Sequence, residues 1–223
     1  MTELALHETR AAYDAVATLY AELFSNALES LPLERAMLAA FAELVRSHNV
    51  GPIADIGCGP GYLTAYLNAL GPSTFGIDLS PEMITLARRD HPDFHFVEGS
   101  MTALDLPDAH LGGILAFYST IHTPPHLLPT VFAEFHRTLA PGGHLLLGFF
   151  AGNDPIPQEF DHKVTLAYRW SPDTLADLLR GAGFTEVGRM VREPHENERQ
   201  FQGAQLLFRK PHSLDANSEG NQP

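Results

Sequence analysis

Apolar positions along this chain change period several times, and the changes divide it into elements. Over 11–24, Tyr13, Val16, Ala17, Tyr20 and Phe24 recur at helical spacing and predict an amphipathic helix. A second helix is predicted over about 33–46, behind Pro32, burying Ala36, Leu38, Phe41, Leu44 and Val45. Asn49-Val50-Gly51-Pro52 then turns the chain. From there short apolar runs alternate with helical patterns. Strands are predicted at 53–56, 74–79, 94–99, 111–118 and 144–150, with helices after the first, second and fourth. Ser80 reads as the cap of the helix that opens with Pro81 and Glu82. Such alternation predicts an α/β fold with a doubly wound parallel sheet.

Beyond Phe150 the pattern changes. Residues 151–158 read as a loop, and Val164, Leu166, Tyr168 and Trp170 alternate like an added strand with one buried face. Ser171 and Pro172 open a further helix that Gly181-Ala182-Gly183 closes. The last two strands, 184–192 and 201–209, flank a polar stretch suited to a hairpin connection rather than a helical crossover. The tail, 211–223, has no apolar period and is expected to be disordered.

Composition narrows the class. With 223 residues, 44% of them hydrophobic, the chain can bury one full core, and no apolar run is long enough to span a membrane. The N-terminus lacks a basic region followed by an apolar stretch, so no secretory signal is read there. Cys58 is the single cysteine, which precludes an intrachain disulfide and fits a reducing, cytoplasmic setting. A formal net charge of −13 argues against a nucleic-acid partner and favours a monomer or small homo-oligomer.

The chemistry centres on Asp55-Ile56-Gly57-Cys58-Gly59-Pro60-Gly61, where a strand runs into three alternating glycines and then a helix. Glycines allow a sharp turn at positive φ and keep Cβ atoms away from a ligand, and the following amides can meet a polar group. The spacing is G-x-G-x-G, not the G-x-G-x-x-G of nicotinamide and flavin proteins. It resembles the first motif of the class I S-adenosylmethionine-dependent methyltransferases, (D/E)-x-G-x-G-x-G, without substitution. The resemblance extends over roughly 50–210. It implies a seven-stranded Rossmann-like sheet ordered 3-2-1-4-5-7-6 with the last strand antiparallel. It also implies N-terminal helices over 1–48 that cap the cofactor site, a methyltransferase domain over 49–210 and a substrate-side insertion at about 151–170.

Ligands of such sheets bind beyond the carboxyl ends of the strands, where strand order reverses. The resemblance implies S-adenosyl-L-methionine there, held by the glycine turn (Asp55, Gly57 and Gly59) and by Asp78 on the ribose diol, with Leu79 and Met83 beside it. Standing alone, Asp78 would read as a helix cap. Gly99-Ser100-Met101 falls where the family reads adenine, though many members carry an acid at the position of Ser100. Tyr13 and Tyr20 are expected to close over the methionine portion, or else simply to pack their helix. Phe117-Tyr118 ends the fourth strand. His122, just beyond it, is the candidate general base, with loop bracing as its alternative role.

Three other readings fail. Thr123-Pro124-Pro125-His126 lacks the aromatic residue and strand-end position of the amino-methylating nucleic-acid enzymes. Cys58 lies inside the glycine turn, without the Pro-Cys motif of cytosine methyltransferases. His122 and His126 have metal-ligand spacing, but a Pro-Pro pair between them opposes a helical turn, and no metal is expected. The function expected is methyl transfer to a small-molecule acceptor. The alternatives are a nicotinamide-dependent oxidoreductase and a catalytically silent S-adenosylmethionine-binding regulator.

Overall fold

The computed structural model describes residues 2–24, 26–196 and 198–212. Two helices, α1 (Thr2–Phe24) and α2 (Pro32–His48), precede an alternation of β1 (Ile53–Ile56), α3 (Tyr62–Ala69), β2 (Thr74–Asp78), α4 (Pro81–Asp90) and β3 (Phe96–Glu98). There follow β4 (Leu111–Phe117), α5 (Leu128–Thr138) and β5 (Leu139–Phe150), then β6 (Gln158–Asp161) and β7 (Leu166–Arg169). The chain ends in α6 (Pro172–Gly181), β8 (Thr185–Arg192) and β9 (Gly203–Arg209). Seven strands form one sheet in the order β3-β2-β1-β4-β5-β9-β8. Those before β9 pair in parallel, while β9 runs antiparallel to β5 and to β8. With β8 and β9 as the sixth and seventh strands of the sheet, this is the expected order.

Helices cover both faces of the sheet. Phe132, Phe135, Leu175 and Leu179 from α5 and α6 pack on one face, and Leu38, Phe41, Val45, Leu63 and Leu67 from α2 and α3 pack on the other. Each such fully buried side chain contributes about 1.5–3 kcal/mol of hydrophobic stabilisation. α1 lies apart from both layers. Its Tyr13, Ala17 and Tyr20 rest on Met83 and Leu86 of α4. Asp14 accepts from the Ser80 hydroxyl at 2.6 Å, while Ser80 itself caps α4 by accepting from Met83 N at 3.1 Å. This contact fixes α1 above the ends of β2 and β3.

Several local expectations need revision. α1 begins nine residues earlier than its clear apolar period. β5 begins at Leu139, through Pro141-Gly142-Gly143 that reads as a turn, because Leu139 pairs with Leu111 before an irregularity shifts the register to Gly113–His144. The predicted loop at 151–158 is followed by β6, which pairs antiparallel with β7 in a separate two-stranded sheet. Four polar or bulky residues, Gln158-Glu159-Phe160-Asp161, give no convincing alternation on their own. The expected disorder beyond residue 212 lies outside the described residues. No described helix is long and apolar enough to cross a membrane.

Candidate functional site

A cavity of about 920 Å³, counting its open mouth, lies at the C-terminal ends of β1, β2, β3 and β4 and beneath α1. Its floor is the glycine turn. Gly57, Gly59 and Gly61 have φ of +76°, +52° and +87°, so each sits where glycine is favoured. The three have different neighbours. A Cβ on Gly57 would lie 2.2 Å from Ser119 Cβ, and one on Gly61 would lie 2.6 Å from the Phe96 ring. A Cβ on Gly59 would meet nothing closer than Tyr20 at 3.9 Å. Gly57 and Gly61 therefore make room for the protein's own side chains. Gly59 keeps the cavity floor open, the role expected of the whole turn.

Asp78 braces this turn. Its two carboxylate oxygens accept from Gly59 N and Ser80 N, each at 2.8 Å. Burial pushes its pKa up, and the amides of Ser80, Gly59 and Leu79 oppose that rise. A carboxylate offers about four lone-pair sites, so these amides leave acceptor capacity for a further donor such as a ribose hydroxyl. Leu79 and Met83 line the cavity beside it. Asp55 does not. It is 1% exposed, accepts from the Thr64 hydroxyl at 2.7 Å and ties β1 to α3; burial raises its pKa to about 7.

The other expected residues come together around the same space. Ser100 lines it, with its hydroxyl 2.8 Å from that of Thr102, and Met101 accepts a long contact of 3.7 Å from the Thr123 hydroxyl. Phe117 and Tyr118 line it from the end of β4, where Tyr118 takes the uncommon φ of +55°. Tyr20 stacks on Phe24 at 4.5 Å, and burial pushes its pKa up to about 12.

Tyr13 and His122 meet directly. Tyr13 Oη stands 2.8 Å from His122 Nε2, and His122 Nδ1 stands 2.8 Å from the carbonyl of Leu166 in β7. The His122 ring packs edge-on against His162 at 4.9 Å. Burial lowers the His122 pKa, partly offset by the Leu166 bond. The insertion thus reaches the site through Leu166 and His162, while Phe160 packs on Phe150, His162 and Phe201. His126 is exposed in a separate turn. Among the described residues, no three His, Cys, Asp or Glu side chains gather as a metal site would need.

Other lining residues were not anticipated. Leu6 and Thr9 continue the face of α1 that carries Tyr13 and Tyr20, and their i, i+3, i+7 spacing was the available signal. Ser119 lines the cavity with a buried hydroxyl that has no hydrogen-bond partner in the structure. Thr123, Pro124 and Leu127 also line it; Thr123 and Pro124 were weighed in the sequence only as part of a rejected motif.

A glycine floor, a carboxylate with spare acceptor sites and flanking Leu79, Met83, Met101 and Phe117 fit a nucleoside-bearing cofactor. Fold and cavity together define a doubly wound α/β protein of the type that binds such cofactors at its topological switch point. The family pattern described as a methyltransferase domain matches residues 53–143. A demethylmenaquinone methyltransferase of Chlorobaculum tepidum is 28% identical over 196 residues, covering 78% of this chain and 79% of its own. A trans-aconitate 2-methyltransferase of Escherichia coli is 42% identical over 99 residues, covering 44% of this chain and 38% of its own. In structure, the 1,6-didemethyltoxoflavin-N1-methyltransferase of Burkholderia thailandensis superposes with a TM-score of 0.65 at 24% identity, over 92% of this chain and 90% of the other. Residues 53–143 thus form a methyltransferase domain whose sheet has the class I order, and S-adenosyl-L-methionine is the cofactor of that class.

Proposed function

We propose that this methyltransferase acts on a small organic acceptor that enters the cavity beneath α1 and meets the methyl group beside Tyr13 and His122. One observation carries the reading. A single concave space runs from Gly59 and Asp78 to Tyr13, His122 and Thr123, so cofactor and acceptor can share it. The cofactor supplies an already electrophilic sulfonium methyl. The chain's contribution is alignment, exclusion of water and removal of a proton where the acceptor requires it.

In this reading Asp78 accepts from the ribose hydroxyls, and Ser100 and Met101 face the adenine. Leu79, Met83, Phe117 and Tyr118 supply apolar walls, and Gly57 and Gly59 form the floor. Tyr13 and Tyr20 cover the methionine portion from α1. Asp55 supports the turn through Thr64 without touching the ligand. Residues 1–48 then serve the site unequally, because α1 lines the cavity and α2 packs on the sheet. The relatives favour a small acceptor by their names, which specify demethylmenaquinone, a malonyl group on acyl-carrier protein and trans-aconitate. The net charge of −13 is the reason to set nucleic acid aside, and a single buried cysteine suits the cytoplasm.

Calorimetry with S-adenosylmethionine and with NADH, followed by S-adenosylhomocysteine release across a panel of acceptors, tests the proposal. Preference for NADH would refute it. Tight S-adenosylmethionine binding with no product from any acceptor would favour a silent regulator instead.

A further inference from the structure

The hydrogen bonds around His122 fix where its proton resides. The Leu166 carbonyl can only accept, so His122 Nδ1 carries the hydrogen. In a neutral ring, Nε2 is then the acceptor, and the Tyr13 hydroxyl 2.8 Å away is its donor. The basic nitrogen of His122 is therefore covered by a phenol. A substrate proton cannot reach Nε2 directly without displacing Tyr13, whereas Tyr13 Oη retains lone pairs and its side chain lines the cavity. The groups that bear on the pair are few. His162 packs on His122 from the β6–β7 loop, Leu166 accepts from it, and Tyr20 and Asp78 adjoin Tyr13. All three neighbouring influences on Tyr13, burial, Tyr20 and Asp78, oppose its ionisation, so it rests as the neutral phenol.

The charge of the cavity lining gives a second constraint. Asp78 is the only Asp, Glu, Lys or Arg among the described residues that line it. A carboxylate acceptor would meet no cationic side chain there, and desolvating an anion without one is costly. It would also bring no proton for the Tyr13–His122 pair to remove. A neutral amine can attack through its lone pair and lose a proton afterwards. A weakly acidic hydroxyl must lose its proton as the new bond forms.

We propose that Tyr13 and His122 form a proton relay, and that the acceptor they serve is an uncharged molecule bearing a phenolic or enolic hydroxyl. The inference rests on the reading that the acceptor enters this cavity. The acceptor oxygen bonds to the methyl carbon and displaces sulfur, which leaves with the electron pair of the broken bond. In the same step that oxygen gives its proton to Tyr13 Oη, and Tyr13 gives its own to His122 Nε2. Tyr13 is neutral before and after. His122 becomes an imidazolium that donates to Leu166 and Tyr13, and it returns the extra proton to solvent once the product leaves. Because burial, Tyr20 and Asp78 hold the Tyr13 phenol well above its ordinary range, it gives its own proton to His122 as it takes the acceptor's and never rests as a phenolate.

Nitrogen-15 NMR of histidine-labelled protein without ligand is the first test. The expected spectrum places His122 as the Nδ1–H tautomer, with its Nε2 resonance shifted in Tyr13→Phe. An Nε2–H tautomer, or no change in the variant, overturns the relay whatever the activity. The second test is calorimetry of the S-adenosylhomocysteine-loaded protein with 2-naphthol and with 2-naphthoate. 2-Naphthol should bind at least tenfold more tightly, and Tyr13→Phe should weaken it about 2–12-fold, the loss of one neutral hydrogen bond. Equal or tighter binding of 2-naphthoate, or no binding of 2-naphthol, overturns the acceptor class. In turnover of 2-naphthol, Tyr13→Phe should lower kcat by roughly 10²–10³-fold, well beyond its about 2–12-fold effect on KM. An unaltered kcat counts against the relay. Failure to bind S-adenosylhomocysteine at all would instead refute the proposed site, so the two ideas fail separately.

Discussion

Gly57 and Ser119 should be energetically coupled across the switch point between β1 and β4. A methyl group on Gly57 would sit 2.2 Å from Ser119 Cβ, far inside ordinary contact distance, at a φ of +76°. The left-handed conformation costs an L-residue about 1–2 kcal/mol, and forcing a methyl into packed space costs about 1–3 kcal/mol more. Gly57→Ala should therefore lose about 2–5 kcal/mol, a large part of the 5–15 kcal/mol typical of a folded domain. Ser119→Gly removes the obstructing Cβ but leaves the φ penalty. The double variant should recover the steric part alone, a coupling of about 1–3 kcal/mol. Urea unfolding of the four proteins measures this directly, with equal m values as the check that two-state behaviour holds. Gly59→Ala is the control. It shares the positive φ of +52° but meets nothing within 3.9 Å, so it should lose only the conformational part and weaken S-adenosylmethionine binding instead. Coupling near zero between Gly57 and Ser119 would refute the assignment of Gly57 to packing. So would equal stability losses at Gly57 and Gly59.

Three further outcomes are expected. Asp78→Ala should weaken S-adenosylmethionine binding by about 1.5–3 kcal/mol, the range for hydrogen bonds to a charged group, with circular dichroism checking the fold; unchanged affinity by calorimetry would remove the residue from the site. His122→Ala should cut turnover roughly 10²–10⁴-fold while leaving cofactor affinity intact. Because burial lowers the His122 pKa, the acid limb of the wild-type pH–rate profile should lie below pH 6.5, and its survival in the variant would assign the proton elsewhere. His144 is 1% exposed, and burial pulls its pKa from 6.5 to about 4, so it contributes stability that is fully present above pH 6.5 and lost as pH falls towards 4. His144→Gln should flatten that slope. Asp55, raised to about 7, titrates with the opposite sign, so the wild-type-minus-variant difference is the quantity to read, and identical slopes would refute the assignment.

The sequence was most informative where one short stretch determines its own geometry. Asp55 to Gly61 announces strand, turn and helix because alternating glycines at a strand end have few other uses. The apolar runs of β4 and β5 likewise mark central strands, and a polar break before β9 marks the antiparallel return. What could not be read depends on contacts between distant positions. The glycine spacing locates the turn but does not show that Gly57 yields to Ser119, 62 residues later, while a Cβ on Gly59 would meet open space but for Tyr20 at 3.9 Å. The motif acid Asp55 looks like a ligand-facing group until Thr64 is seen to hold it within the core. β6 is stabilised by pairing with β7 and by Phe160 against Phe150 and Phe201, so its own four residues carry little signal.

The Tyr13–His122 contact illustrates the same limit within the site. Read from the sequence, Tyr13 was a candidate for covering the cofactor or for packing its helix, and His122 for taking the acceptor's proton or for bracing its loop, on separate elements. They are 109 residues apart, and only the docking of α1 on α4 brings them to 2.8 Å. That docking depends on Asp14 meeting Ser80, the residue that caps α4 two positions after Asp78. The carboxylate that braces the glycine turn and the helix that delivers Tyr13 are thus tied to one cap. Loosening it through Asp14→Ala should disturb cofactor binding and the His122 environment together, although Asp14 does not line the cavity.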